Sequence, residues 1–244
     1  MEKYNIRLKE VIKTFTKRLF YNLFDEQEEE NIFLKDTFLE ITSALAIEDG
    51  ENLWKEFQDQ FSTIRKKLDL DAASFLKNDP ASTCIKEVYL AYPGFFAISI
   101  YRLSHGLHLL KVPIVPRMMS EYAHGITGID IHPGATIGDS FFLDHGTGIV
   151  IGETAIIKSH VKIFQGVTLG GLQVKKDMKS TKRHPTIEDN VTIYANATIL
   201  GGDIVIGANS TIGANVWITQ SVPENSLVTY QTEIKIRPKK NGIR

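Results

Sequence analysis

IGETAIIKSHVKIFQGVTLGG, residues 151–171, decides the fold. It divides into IGETAI, IKSHVK, IFQGVT and LGG, and every piece opens on Ile or Leu. The same register runs back through LDHGTG (143–148), IGDSFF (137–142) and IHPGAT (131–136), interrupted by two extra residues, Ile149 and Val150. It resumes as IEDNVT (187–192), IYANAT, ILGGDIV, IGANST, IGANVW and ITQSVP (218–223). All thirteen leading positions are Ile or Leu, and the fifth position is usually small or apolar, as at Ala135, Ala155, Val161, Val167, Val191, Ala197, Ser210 and Val216. A fixed period of this kind predicts a parallel β-helix, each hexad forming one short side of a repeating coil. No single hexad can bury its leading side chain alone, whereas a stacked ladder can, at roughly 25 cal/mol per Å² of apolar area. Three hexads make a turn of 18 residues, which would place residues 130 and 145 in adjacent coils.

The period lapses at LQVKKDMKSTKR (172–183). Leu169 and Ile187 are 18 residues apart, yet the intervening lead positions hold Lys175 and Thr181. Residues 172–182 therefore read as an excursion loop, followed by Arg183 and His184. Its basic residues either steer a polyanionic ligand or solubilise a surface loop.

Upstream, the spacing is helical. NIRLKEVIKTFTKRLFYNLF (5–24), DEQEEENIFLKDTFLEITSALA (25–46) and NLWKEFQDQFSTIRKKL (52–68) each predict a helix, and the pattern resumes in 81–92 and 94–111. The chain thus reads as α+β: a helical N-terminal domain (1–126), a β-helix (127–224) and a C-terminal tail (225–244). His105 and His108 stand at i, i+3 on an amphipathic helix without a matching carboxylate, a pattern of surface or interface residues rather than metal ligands.

Of 244 residues, 28 are Lys or Arg and 29 Asp or Glu, so no global field favours nucleic acid or an anionic membrane. A lone cysteine, Cys84, excludes an internal disulfide framework and reads as a small, partly buried residue. The most apolar stretch, YLAYPGFFAISIY (89–101), falls short of the roughly 20 residues that span a membrane, and the charged N-terminus is no signal peptide. These features suit a cytoplasmic protein.

Several stretches go beyond the generic repeat: NDPA (78–81), YPGFFAISIYRLSH (92–105), DIHPGATIG (130–138), LDHGTGIVIGETA (143–155), GVTLGG (166–171) and RHPTI (183–187). Over about 78–222 the chain resembles the serine acetyltransferases, a branch of the hexapeptide-repeat acyltransferases. The resemblance implies a left-handed coil, against the usual right-handed crossover preference. It implies transfer of an acetyl group from acetyl-CoA to the hydroxyl of L-serine, the first step of cysteine biosynthesis, with no metal. Such chemistry needs a neutral imidazole to take the hydroxyl proton, a carboxylate to orient that imidazole, and a donor for the thioester oxygen.

By resemblance His145 is the base and Asp130 its orienting carboxylate. Asp79 and Asp144 take the serine ammonium, while Arg183 and His184 take its carboxylate. Gly171, Ala195 and Ala214 line the path of coenzyme A, although Tyr194 and Asn196 flank Ala195 where small residues are more usual. The family implies a homotrimer or a dimer of trimers with sites between neighbouring β-helices, and feedback inhibition by L-cysteine. Two departures limit the transfer. No Gly-x-Pro-Ala turn follows the last coil, which leaves Lys239 and Lys240 as a guess for the phosphates. The chain ends Ile243-Arg244 rather than in isoleucine, which implies a weakened or absent complex with cysteine synthase. The competing readings are another hydroxyl acceptor (homoserine, a sugar or an antibiotic), a zinc site of the γ-type carbonic anhydrase kind drawn from His132, His145, His160 and His184, and a non-catalytic β-helical scaffold.

Overall fold

The computed structural model of the chain describes residues 5–25, 27–172 and 181–231. Most of the excursion loop, and the tail residues Lys239, Lys240, Ile243 and Arg244, lie outside the described residues. Among the described residues seven helices come first: α1 (Leu8–Phe24), α2 (Glu28–Ala44), α3 (Gly50–Gln58), α4 (Phe61–Asn78), α5 (Ile85–Ala91), α6 (Pro93–Leu109) and α7 (Val115–Thr127). No helix among the described residues is long and apolar enough to cross a membrane.

The single helix expected over 52–68 is instead the end of α3 and the start of α4. Trp54, Phe57 and Phe61 keep helical spacing through the bend, so the period hides it. Packing explains the bend: Phe61 meets both Trp54 and Phe57 edge-on at 88°, centroids 6.0 and 5.0 Å away. Phe15 and Phe38 complete this aromatic core beside Trp54.

Fourteen short strands follow among the described residues, in three parallel sheets that form the sides of a prism. Face one holds β1 (Asp130–Ile131), β4 (Val150–Ile151), β7 (Thr168–Gly170), β10 (Thr198–Leu200) and β13 (Trp217–Ile218). Face two holds β2 (Thr136–Ile137), β5 (Ile156–Ile157), β8 (Thr186–Ile187) and β11 (Val205–Ile206). Face three holds β3 (Phe142–Asp144), β6 (Lys162–Phe164), β9 (Thr192–Ile193), β12 (Thr211–Ile212) and β14 (Leu227–Val228). The last strand falls in the stretch assigned to the tail. All thirteen leading residues are buried, none more than 5% exposed, and so are the fifth-position residues, including Ser210. The Ser210 hydroxyl is satisfied by the Pro223 carbonyl and the Ser226 N–H.

Turn length varies around the 18-residue rule while the register holds. Asp130 pairs with Val150, Val150 with Thr168, Thr168 with Thr198 and Thr198 with Trp217. The first turn is therefore 20 residues, because Ile149 and Val150 belong to it. This corrects the placement of residues 130 and 145 in adjacent coils: both belong to the first turn.

The corners are tight, and many need a left-handed backbone. Between faces two and three, Ser140, His160, Asn190, Asn209 and Asn225 stack with φ of 57–61°. Asparagine tolerates this region better than most residues. Asn190 Nδ2 donates to Asn209 Oδ1 at 3.2 Å and Asn209 Nδ2 to Asn225 Oδ1 at 3.3 Å, forming a ladder.

A buried ion pair joins helices to solenoid. Arg102 on α6 donates Nε and Nη2 to Asp71 on α4 at 2.6 and 2.8 Å, and Nη2 also reaches the Gly138 carbonyl at 2.8 Å. Asp71 in turn accepts the Phe141 N–H at 2.9 Å. Tyr101 donates to the Ala135 carbonyl at 2.6 Å, and His105 Nδ1 meets the Pro133 carbonyl at 2.7 Å. His105 is thus an interface residue. Cys84, expected to be partly buried, is exposed.

Candidate active site

The chain turns from face three to face one just after β3, and this third edge carries His145. His145 adopts φ 55°, in the left-handed region, and its side chain is 72% exposed. Gly146 continues the turn at φ 82°, and a Cβ there would fall 2.4 Å from Ile129. The glycine lets the corner close over the core. The result is an imidazole held out from the prism at the end of a rigid strand.

Two acids approach it. Asp144, the last residue of β3, has Oδ1 3.8 Å from His145 Nδ1, a proximity rather than a hydrogen bond. Asp79 arrives from the C-terminal end of α4, where it caps the helix. Its carboxylate accepts the Tyr92 hydroxyl at 2.5 Å and the Ala81 N–H at 2.8 Å. These bonds hold its pKa below the usual carboxylate value, Tyr92 contributing most, with His145 close enough to add to the effect. Tyr92 was not singled out in the sequence. The signal was Tyr92-Pro93-Gly94, which starts α6 and lets Gly94 come so near β3 that a Cβ would sit 2.8 Å from the Leu143 carbonyl.

Asp130 opens face one beside the same edge, with its N–H on the Ile149 carbonyl at 2.9 Å. Among the described residues no hydrogen bond joins it to His145; its carboxylate lies with Glu121 and His124 of α7. Above His145 the register continues the edge: Asp144 pairs with Phe164, Ile163 with Ile193 and Ile193 with Ile212. His145, Gln165, Ala195 and Ala214 therefore stack in one column, with Gln165 on the rung next to the imidazole and bare methyl groups on the two rungs beyond. Phe164 and Tyr194 stack at 4.9 Å in the adjoining column.

Arg183, His184 and Gly171 stand at the first edge, between faces one and two. Thr154 organises this corner. Its N–H and hydroxyl lie 3.0 and 2.8 Å from His184 Nδ1, and its oxygen accepts the N–H groups of Arg183 and His184 at 2.9 and 3.1 Å. Nδ1 accepts the Thr154 N–H, so the neutral ring carries its proton on Nε2. Burial, then the Arg183 charge, pushes the His184 pKa down to about 4. The ring lies over Gly152, where a Cβ would be 2.1 Å from Nε2. Arg183 pairs with Glu153. The structure thus brings Asp79, Asp144 and His145 together, with Asp130, Ala195 and Ala214 on or beside the same edge. It sets Arg183, His184 and Gly171 on the other side of face one. His132 lies at the first edge, His145 at the third and His160 at the second, so these imidazoles do not converge within the chain.

Residues 184–220 match the family model described as bacterial transferase hexapeptide (six repeats). A plasmid serine acetyltransferase of Synechococcus elongatus is 44% identical over 222 residues, which cover 88% of this chain and 69% of that one. The crystal structure of Entamoeba histolytica serine acetyltransferase isoform 3 in complex with cysteine superposes with a TM-score of 0.82 at 35% identity, covering 99% of this chain and 87% of the other. A serine acetyltransferase in complex with CoA superposes with a TM-score of 0.64 at 28% identity, covering 88% and 94%. With its prism matched to these left-handed β-helices of hexapeptide repeats, the chain belongs to the serine acetyltransferase family.

Proposed function

We propose that the chain transfers the acetyl group of acetyl-CoA to the hydroxyl of L-serine, with the third edge as the catalytic half of the site. One observation carries this reading: an exposed imidazole on a rigid corner, flanked by Asp79 and Asp144, with the small Ala195 and Ala214 stacked beyond it in register. His145 takes the proton of the serine hydroxyl as the oxygen attacks the thioester carbon. The tetrahedral intermediate collapses, the C–S bond breaks, and the imidazolium returns the proton to the departing thiolate. Asp130 orients the imidazole and stabilises its charged form. Asp79 and Asp144 supply the anions that a serine ammonium requires. Coenzyme A runs along the alanine column.

The serine carboxylate needs a cation and a donor, which Arg183 and the Nε2–H of His184 provide. These stand across face one from His145, so a neighbouring copy is required to lay its first edge against this third edge. The assembly is accordingly a homotrimer or a pair of trimers, and Gly171 reaches the CoA path from the same neighbour. L-Cysteine carries the same ammonium and carboxylate as L-serine, which makes it a competitive inhibitor, and free O-acetylserine is the product passed to cysteine synthesis. The test is a thiol-release assay with acetyl-CoA across serine, homoserine, sugar and aminoglycoside acceptors. Turnover confined to serine is the expected outcome, and preference for any other acceptor overturns the assignment.

A further inference from the structure

The link between α7 and Asp130 is short and stiff. Gly128 closes the helix with φ 70° and donates its N–H to the His124 carbonyl at 2.8 Å. Thr127 Oγ1 donates to the Ala123 carbonyl at 2.8 Å and accepts the Ile129 N–H at 3.1 Å, while Ile129 is buried. Asp130 is then pinned to the Ile149 carbonyl. The last turn of α7 and the backbone of Asp130 form one unit.

That turn presents two more ionisable groups to Asp130. His124 Nδ1 lies 3.3 Å from Glu121 Oε2, and one ligating atom from each of Glu121, His124 and Asp130 lies within 4.8 Å of the other two. Arg117, one turn back on α7, pairs with Glu121. Burial pushes the Glu121 carboxyl up, but the bonds from His124 and Arg117 outweigh it and hold its pKa below the usual value. Arg117 and His124 both reach Glu121, and Asp130 lies against the same cluster. Two carboxylates this close repel, and His124, 3.3 Å from Glu121 and within 4.8 Å of Asp130, is the member of the trio that offers an N–H to them. A carboxylate that orients a catalytic imidazole works only if its own position is fixed by a further partner.

We propose that His124, anchored by Glu121, is a positioning residue that holds the Asp130 carboxylate in place for its work on His145. The inference rests on the role proposed above for Asp130 and extends that acid–imidazole pair by a second imidazole and a second acid from the helical half. His124 touches no substrate.

The side chains of His124 and Glu121 are 42% and 45% exposed, so truncation leaves the core intact. His124→Ala lowers kcat for serine and acetyl-CoA by roughly ten-fold, with both KM values and the melting temperature unchanged. His124→Gln, which keeps an N–H donor, falls between it and the parent. In an Asp130→Asn background, His124→Ala lowers kcat no further, because the group it positions has already been altered. Several results overturn the inference: an intact kcat in His124→Ala alongside a lowered one in Asp130→Asn, a change confined to KM, or full additivity of the two substitutions. Stoichiometric bound metal whose removal abolishes turnover also overturns it, by making the trio a metal site. An intact kcat in Asp130→Asn fells the Asp130 assignment itself, and this inference with it.

Discussion

The helical half and the solenoid hold themselves together by opposite means. In the helices buried side chains have particular partners: Phe38 has Phe15, Trp54 and Phe57, and Asp71 has Arg102. In the solenoid the inward residues are interchangeable, and thirteen aliphatics do one job on three faces. Regularity supplies stability there, which leaves the departures from it for chemistry. His145 stands just before the two-residue insertion, and Arg183 and His184 close the long excursion. The helices add what a repeat cannot, Asp79 at a helix end and a set of charges behind Asp130.

The sharpest way to test that division is His145→Ala. It should lower kcat by about 10²–10⁴-fold while leaving the melting temperature unmoved, because the ring is largely exposed. A fall in stability of comparable weight would make the corner structural. Next comes the joint between the halves. Asp71→Ala leaves Arg102 charged and buried without its partner, at a cost of about 3–5 kcal/mol, read by denaturant unfolding. A cost near zero would leave the joint to the Tyr101 and His105 hydrogen bonds and to apolar contacts such as Phe75 on Phe142.

Smaller effects probe the corners. Asn209→Ala should cost about 1–2 kcal/mol for the left-handed backbone, whereas Asn209→Gly should recover most of it. Equal losses in the two variants would shift the weight to the amide ladder. The gentlest probe is pH. The His184 imidazole takes up a proton near 6.5 in the unfolded chain but only near 4 in the fold, because it is buried beside Arg183. The unfolded state therefore binds more protons between those values. Stability should be flat above pH 6.5, fall as pH drops towards 4, and fall less steeply in His184→Gln. A melting series from pH 7.5 to 4.5 checks the slope.

Much of this was legible because a solenoid converts local period into global position. The hexad leads announce the core, and the lapse after Gly171 marks the excursion. Contacts between distant residues carry no such signal. Asp71 and Arg102 are 31 residues apart, and helical spacing says nothing of their pairing. The break between α3 and α4 was masked because three aromatics kept their stripe through it. Tyr92 reaches Asp79, and His124 lies against Asp130, through helices whose docking no repeat encodes. The two-residue insertion was visible, but only the pairing of Asp130 with Val150 shows that it lengthens the turn instead of shifting the strand.

Successive turns on face one measure 20, 18, 30 and 19 residues, and yet the strands never lose phase. Extra chain is taken up at a corner, and its length is invisible to the rungs on either side. A scaffold with this property uncouples innovation from folding. The turn that holds residues 171–184 is 30 residues long, and the aliphatic ladders on either side of it stay in register. Acceptor preference on such a prism is therefore open to revision by insertion and deletion, a route largely closed to the tightly interlocked helices beside it.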